Sequence, residues 1–179
     1  TPFLARPTMV DRLVRLHPQR RLPPPSAIPD GHILIIGCGT NGGTLVDVLL
    51  LEGRDLTVIE QDPAVVAELQ GAGIRALRGD AADPAVVRQA APERAAAILS
   101  TLGNVHDARW ILDEWAQHTP VLVRVFGPDE VAWVEARGGI PIDYAAATAD
   151  EFMHWWVHQG PASAFGSDSS SNAGGSPAR

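Results

Sequence analysis

The sequence predicts an α/β fold: a parallel sheet of six short strands, doubly wound with helices on both faces. Three observations predict it. Short apolar runs alternate with helix-like segments from residue 31 to 159, the pattern of strands joined by crossover helices. The first run, His32–Ile36, leads straight into Gly37-Cys38-Gly39-Thr40-Asn41-Gly42, a G-x-G-x-x-G loop. Glu60 then closes the second run, 21 residues after Gly39, the spacing between a phosphate loop and a ribose-binding acid in Rossmann-like folds.

Each element has its own signal. Strand one is His32–Ile36, and an apolar-periodic helix from about Gly42 to Glu52 stops at Gly53. Strand two is Leu56–Ile59. Asp62-Pro63 reads as an N-cap with proline in the first turn, opening a helix to about Gln70 that Gly71 and Gly73 end. Strand three is Ile74–Leu77. Asp83-Pro84 repeats the cap signal for a short helix to about Ala90. Strand four is Ala95–Leu99, followed by a longer helix from Asn104 to about His118. Strand five is Val121–Val125, followed by a helix Asp129–Ala136 closed by Gly138-Gly139. Strand six is Ile140–Tyr144, and a final helix covers Ala149–Gln159.

The 179 residues suffice for one domain with a full core, and the apolar fraction of 45% is ordinary for a globular chain. Residues 1–30 read as a basic, proline-rich leader: five arginines against Asp11 and Asp30 give it a net charge of +3, leaving −10 on the rest. A short apolar-sided helix near Met9–His17 runs into Pro18 and then Pro23-Pro24-Pro25, a semi-rigid spacer. A basic leader beside an acidic domain fits a juxtamembrane segment as well as a solvated tail. The chain begins at Thr1 without methionine, which reads as a fragment of something longer or as processing. Residues 31–159 form the domain, and the Ser/Gly-rich residues 160–179 read as a disordered tail. The net-acidic body argues against a nucleic-acid surface. There is no run of about 18 apolar residues of the kind that spans a bilayer. The single cysteine, Cys38, excludes an internal disulfide framework. No lysine is present, which excludes a Schiff base, a Walker-type phosphate lysine and a Tyr-x-x-x-Lys relay.

Ligands of such sheets sit at the carboxyl ends of the strands. There Gly37 allows the tight turn, Gly39 lets a phosphate approach the backbone, and Gly42 lets the helix pack closely, with free N–H groups at the helix start to meet an anion. Cys38, Thr40 and Asn41 complete the loop. Glu60 can accept ribose hydroxyls and would repel a 2′-phosphate, which disfavours NADP; Gln61 follows it. Gly79-Asp80-Ala81, Ser100-Thr101-Leu102 and Phe126-Gly127 occupy the other strand ends. On position alone, Asp80 is a turn aspartate or a contact to the adenine end. Arg124, in an apolar run, needs a partner and could reach a phosphate or a carboxylate.

Residues 32–157 resemble the RCK/KTN (TrkA-N type) regulatory domains of potassium channels and cation transporters. The resemblance rests on G-C-G-T-N-G, V-I-E-Q-D-P, G-D-A-A-D-P, A-A-I-L-S-T-L, V-R-V and A-x-x-G-G-I-P-I-D-Y with its following helix. It implies a cytoplasmic domain at the inner face of the membrane that binds an adenine nucleotide (NAD(H), AMP, ADP or ATP). It also implies a homodimer, whose last helix crosses to the second subunit. Such a dimer would gate potassium or other monovalent cation transport by a membrane-embedded transporter or antiporter domain, in cis or in trans. It gives Asp80 and Ala81 the framing of adenine, and no catalytic role. The leader, with Val10-Asp-Arg-Leu-Val and its proline-rich spacer, is similar to the junction after the last membrane helix of cation:proton antiporters. Two departures matter. Many family members have arginine where Thr40 stands, so a triphosphate is less expected than AMP, ADP or NAD(H). The Ser/Gly-rich residues 160–179 stand where the family's second, smaller ligand-binding subdomain would follow, so no ion or second-messenger site of that kind is expected within these residues.

The alternative function is a small NAD-dependent oxidoreductase, with His106 as general acid and Tyr144 as the single tyrosine. Cys38 sits where a helix N-terminus lowers a thiol pKa, or is simply a small packed residue. Glu151, His154 and His158 share a helix face that could start a metal site, or are polar surface positions. Phe152, Trp155 and Trp156 make an apolar stripe, and Trp110 and Trp115 are core or interface.

Overall fold

The computed structural model describes residues 27–159, with Thr40 and Asn41 described by their backbone alone. The leader helix near Met9–His17, its proline spacer and the tail 160–179 lie outside the described residues. Elements run β1 His32–Ile36, α1 Thr40–Leu51, β2 Leu56–Glu60, α2 Pro63–Gly71, β3 Arg75–Arg78, α3 Pro84–Arg88, β4 Ala95–Ser100, α4 Arg109–Trp115, β5 Val121–Val125, α5 Pro128–Glu135, β6 Ile140–Asp143 and α6 Tyr144–Gln159. Short 3-10 turns at Pro92–Arg94 and Val105–Ala108 precede β4 and α4.

The six strands form one parallel sheet in the order β3-β2-β1-β4-β5-β6. The chain winds outward from β1 to β3, then returns to the centre and lays β4 on the other side of β1. That reversal opens a crevice at the carboxyl ends of β1 and β4. Alternation along the strands divides the core between the two faces. Ile35, Leu56, Val58 and Ala76 pack with Val46 of α1 and with Val66 and Leu69 of α2. Leu34, Ile36, Ile59, Ile98 and Val123 pack on the opposite face with Val87 of α3, Ile111 and Leu112 of α4, and Val134 of α5. Burial of each of these branched side chains contributes about 1.5–3 kcal/mol. His32 is also fully buried, its ring nitrogens 3.0 and 3.1 Å from the carbonyl oxygens of Pro29 and Ala90.

The predicted strands lie within a residue or so of those observed, and two helices differ. The segment expected as one helix from Asn104 to His118 is a 3-10 turn followed by seven residues of α4. Asn104 accepts the His106 N–H, and the Asp107 N–H reaches back to the Asn104 carbonyl, so the first turn winds tightly. The last helix begins at Tyr144, five residues before the expected Ala149. Asp143 accepts the N–H groups of Ala145 and Ala146 at 2.9 and 3.0 Å, which caps the helix at the end of β6.

Candidate functional site

The glycine loop is built by close contacts that only glycine permits. Gly37 turns the chain at φ +84°, a conformation L side chains rarely adopt. A Cβ at Gly42 would collide with the Gly37 carbonyl oxygen, so the first turn of α1 lies directly against the loop. Thr101, after β4, locks the arrangement: its Oγ1 donates to the Gly37 carbonyl at 2.9 Å, and its N–H donates to Ile36. Gly39 occupies the N-cap position of α1 with open space around it, so no side chain caps the first N–H groups of that helix. Gly39 thereby leaves the end of α1 open to an anion.

Glu60 faces this loop from the end of β2. Its Oε2 accepts the Cys38 N–H at 2.6 Å, and its Oε1 accepts the N–H groups of Gln61 and Asp62 at 2.7 and 2.9 Å. A carboxylate has about four acceptor positions. Three are taken by backbone, so the group is held rigidly with little acceptor capacity left over. The expected two ribose contacts therefore require part of this network to yield.

Loop, acid and neighbouring strand ends enclose one cleft of about 560 Å³, within the range of small-molecule sites. Of the expected residues, Gly37, Gly39, Gly42, Glu60, Gln61, Ala81, Thr101, Leu102 and Arg124 line it. Asp80 and Cys38 are not among its lining residues. The Asp80 Oδ1 accepts the Ala82 N–H at 2.8 Å, which shapes the turn after β3. That turn is seated tightly: a Cβ on Gly79 would fall 2.6 Å from Val86 Cγ1. Trp110, in α4, donates its indole N–H to the Ala81 carbonyl at 2.9 Å. Cys38 points into the core below the loop. Burial pushes its thiol up to about 12, and the Glu60, Asp47 and Glu68 carboxylates add to the effect. Desolvation thus outweighs the helix N-terminus, and a thiolate role for Cys38 is disfavoured.

Arg124 is only partly satisfied, since its buried Nε has no hydrogen-bond partner among the described residues. Its Nη2 donates to the Leu102 carbonyl at 2.8 Å. The guanidinium carbon lies 5.0 Å from the Phe126 ring centroid and 6.0 Å from that of Tyr144. Asp107 lines the cleft as well, although sequence reasoning missed it. It stands in the tight turn after β4, where a count of strand-end positions would have found it had the segment not been read as continuous helix. His106 packs edge-on against Trp133, with ring centroids 4.8 Å apart, and is not a lining residue. His154 and His158 lie 4.6 Å apart by ring centroid, but among the described residues no group of three His, Cys, Asp or Glu side chains is placed to hold a metal. Nor is any helix of those residues long and apolar enough to cross a membrane.

Known proteins are similar to this chain in sequence and in fold. YbaL of Escherichia coli (strain K12), provisionally named a cation/proton antiporter, is 33% identical over 110 residues. The Trk system potassium uptake protein TrkA of Vibrio alginolyticus is 31% identical over 123 residues. These matches cover 60% and 64% of this chain but only 20% and 27% of those relatives. The crystal structure of the TrkA-N domain of Escherichia coli YbaL superposes with a TM-score of 0.68 at 27% identity, covering 72% of this chain and 98% of that one. Two more distant structures share the fold: the GsuK channel bound to NAD (TM-score 0.59, 18% identity, 73% of this chain and 24% of that one) and the AMP-bound C-terminal domain of Shewanella denitrificans Kef (0.58, 14%, 68% and 77%). The TrkA-N domain family model matches residues 33–151, and with its G-D-A-x-D turn, glycine loop and six-stranded sheet the chain belongs to the TrkA-N family.

Proposed function

We propose that this chain is a regulatory domain that binds an adenine nucleotide and couples its occupancy to potassium or other monovalent cation transport. One observation carries the reading: the uncapped N-terminus of α1 opens on the same cleft as the rigidly held Glu60 carboxylate. An anion site beside a carboxylate that keeps one acceptor position, and gains a second if a backbone N–H yields, suits the phosphate and ribose of a nucleotide. NAD(H), AMP, ADP and ATP are the candidate ligands, and a 2′-phosphate would meet the Glu60 carboxylate, which disfavours NADP. The likeness to transport proteins supports a membrane-embedded transporter or antiporter as partner, in cis or in trans, at the inner face of the membrane. A role without catalysis fits His106 packed away from the cleft.

Gating requires an interface between subunits, and α6 presents an exposed apolar face that suits one. None of its residues is buried, and Phe152, Trp155 and Trp156 are 54%, 44% and 39% exposed. A homodimer formed through this helix would cover the stripe, and nucleotide would act by binding two dimer arrangements unequally. Titration with AMP, ADP, ATP, NAD⁺, NADH and NADPH, read by calorimetry and melting temperature, tests the binding half. Preference for one nucleotide without a 2′-phosphate, weakened by Glu60→Ala, is expected. Sedimentation with and without that nucleotide tests the gating half, which a chain that stays monomeric in both would sink.

A further inference from the structure

We propose that Asp107 sets the ligand class of the cleft, turning it against a nucleoside triphosphate and toward a dinucleotide. The inference rests on the nucleotide reading above and adds a residue to it. The cleft runs from Ala81, beyond β3, past Glu60 on β2 and the glycine loop on β1, to Asp107 beyond β4 and Arg124 on β5. Four inter-strand steps make that about 19 Å. An adenosine held by Glu60 and Ala81 places its first phosphate at the glycine loop, in the middle. Whatever follows that phosphate lies over β4 and β5.

The chemistry of that second half decides between ligands. The Asp107 carboxylate is exposed, and among the described residues no cation lies within 4 Å of it. Among the described residues its one hydrogen bond comes from Asn104 Nδ2 to Oδ1 at 3.1 Å, so Oδ2 keeps its acceptor capacity. The opposing cation, Arg124, donates through Nη2 to Leu102 and lies over Phe126, which leaves its buried Nε as an unpartnered donor, among the described residues, against the two lining carboxylates. The charged lining residues, Glu60, Asp107 and Arg124, leave a net negative cleft. An ionised carboxylate only accepts hydrogen bonds. Terminal phosphates brought beside it are repelled, whereas the hydroxyls of a second ribose supply the donors it lacks.

The test is the affinity of the 179-residue chain for ATP and for NAD⁺, each measured against AMP, whose single phosphate stops at the glycine loop. Asp107→Asn is nearly isosteric and keeps an oxygen for Asn104. The wild-type chain is expected to prefer NAD⁺ to ATP, and Asp107→Asn to shift that ratio toward ATP by about tenfold, the effect of relieving one like-charge contact at a solvated site. A ratio that stays within twofold, or a wild-type preference for ATP, would show that Arg124 governs this half and overturns the assignment. Loss of all three ligands from the wild-type chain would instead bring down the nucleotide reading itself, and the role of Asp107 with it.

Discussion

Helices α1 and α2 start one strand apart in the same sheet, and their first turns are built on opposite plans. At α2, Asp62 accepts the Ala64 N–H at 2.8 Å and Pro63 fills the first turn. Asp83 and Pro84 repeat this at α3. At α1 the N-cap is Gly39, with neither a capping side chain nor an acid in the first turn. An aspartate cap satisfies backbone donors at the expense of any external anion, since it fills the position with its own negative charge. The capped ends serve the fold alone. The uncapped end faces the cleft, so local stability is lower at the one place where an outside anion can replace the cap.

The largest test of this contrast is Gly42→Val. Its Cβ has no room beside the Gly37 carbonyl, so the first turn of α1 must move away from the loop. A loss of about 2–4 kcal/mol in urea unfolding is expected, together with loss of nucleotide binding. Converting α1 to the plan of α2 is more discriminating. Gly39→Asp finds open space for its side chain and should raise stability by a few tenths of a kcal/mol while weakening nucleotide affinity at least about tenfold. A variant that gained a cap and bound nucleotide as before would break the comparison.

The Cys38 thiol sharpens it through pH. Its folded pKa of about 12 lies above the ordinary 9.0, so between those values the native chain holds a proton that the unfolded chain has released. Stability should therefore fall as pH rises above 9, by about 1.4 kcal/mol per unit within that window, and Cys38→Ala should lose this part of the slope in chemical denaturation. On the capped side, Asp83→Ala should cost about 1 kcal/mol and leave nucleotide affinity unchanged. The smallest effect belongs to Asp80→Ala, which removes one turn hydrogen bond at an exposed site and should weaken binding less than Glu60→Ala does.

The two cap types were visible in the sequence because both are local. Asp-Pro pairs and a glycine loop behind an apolar run announce themselves within a few residues, and His32–Ile36 and Val121–Val125 match their predicted bounds. Contacts across the fold were not visible. The three N–H groups on Glu60 come partly from a residue 22 positions away, and the Trp110 indole reaches Ala81 across 29. No periodicity records such pairings. The early start of α6 was hidden because Ile140-Pro-Ile-Asp-Tyr continues like a strand until Asp143 turns its carboxylate on the next two alanines. Asp107 was overlooked for a related reason: a tight turn and a helix carry similar residues, and only the fold shows that the turn brings this carboxylate to the cleft.

The central position of β1 has a consequence for synthesis on the ribosome. Its partner on one side, β2, follows within some twenty residues, but its partner on the other, β4, ends at Ser100. Parallel pairing across such a separation forms slowly, because the closure entropy is lost before the contacts form. The first half of the sheet therefore emerges with one edge of β1 bare, an apolar edge open to mispairing. Thr101, which locks the glycine loop, arrives only just behind the strand that covers that edge, so the covering of β1 and the closure of the glycine loop fall at the same moment of translation, before β5 and β6 are made.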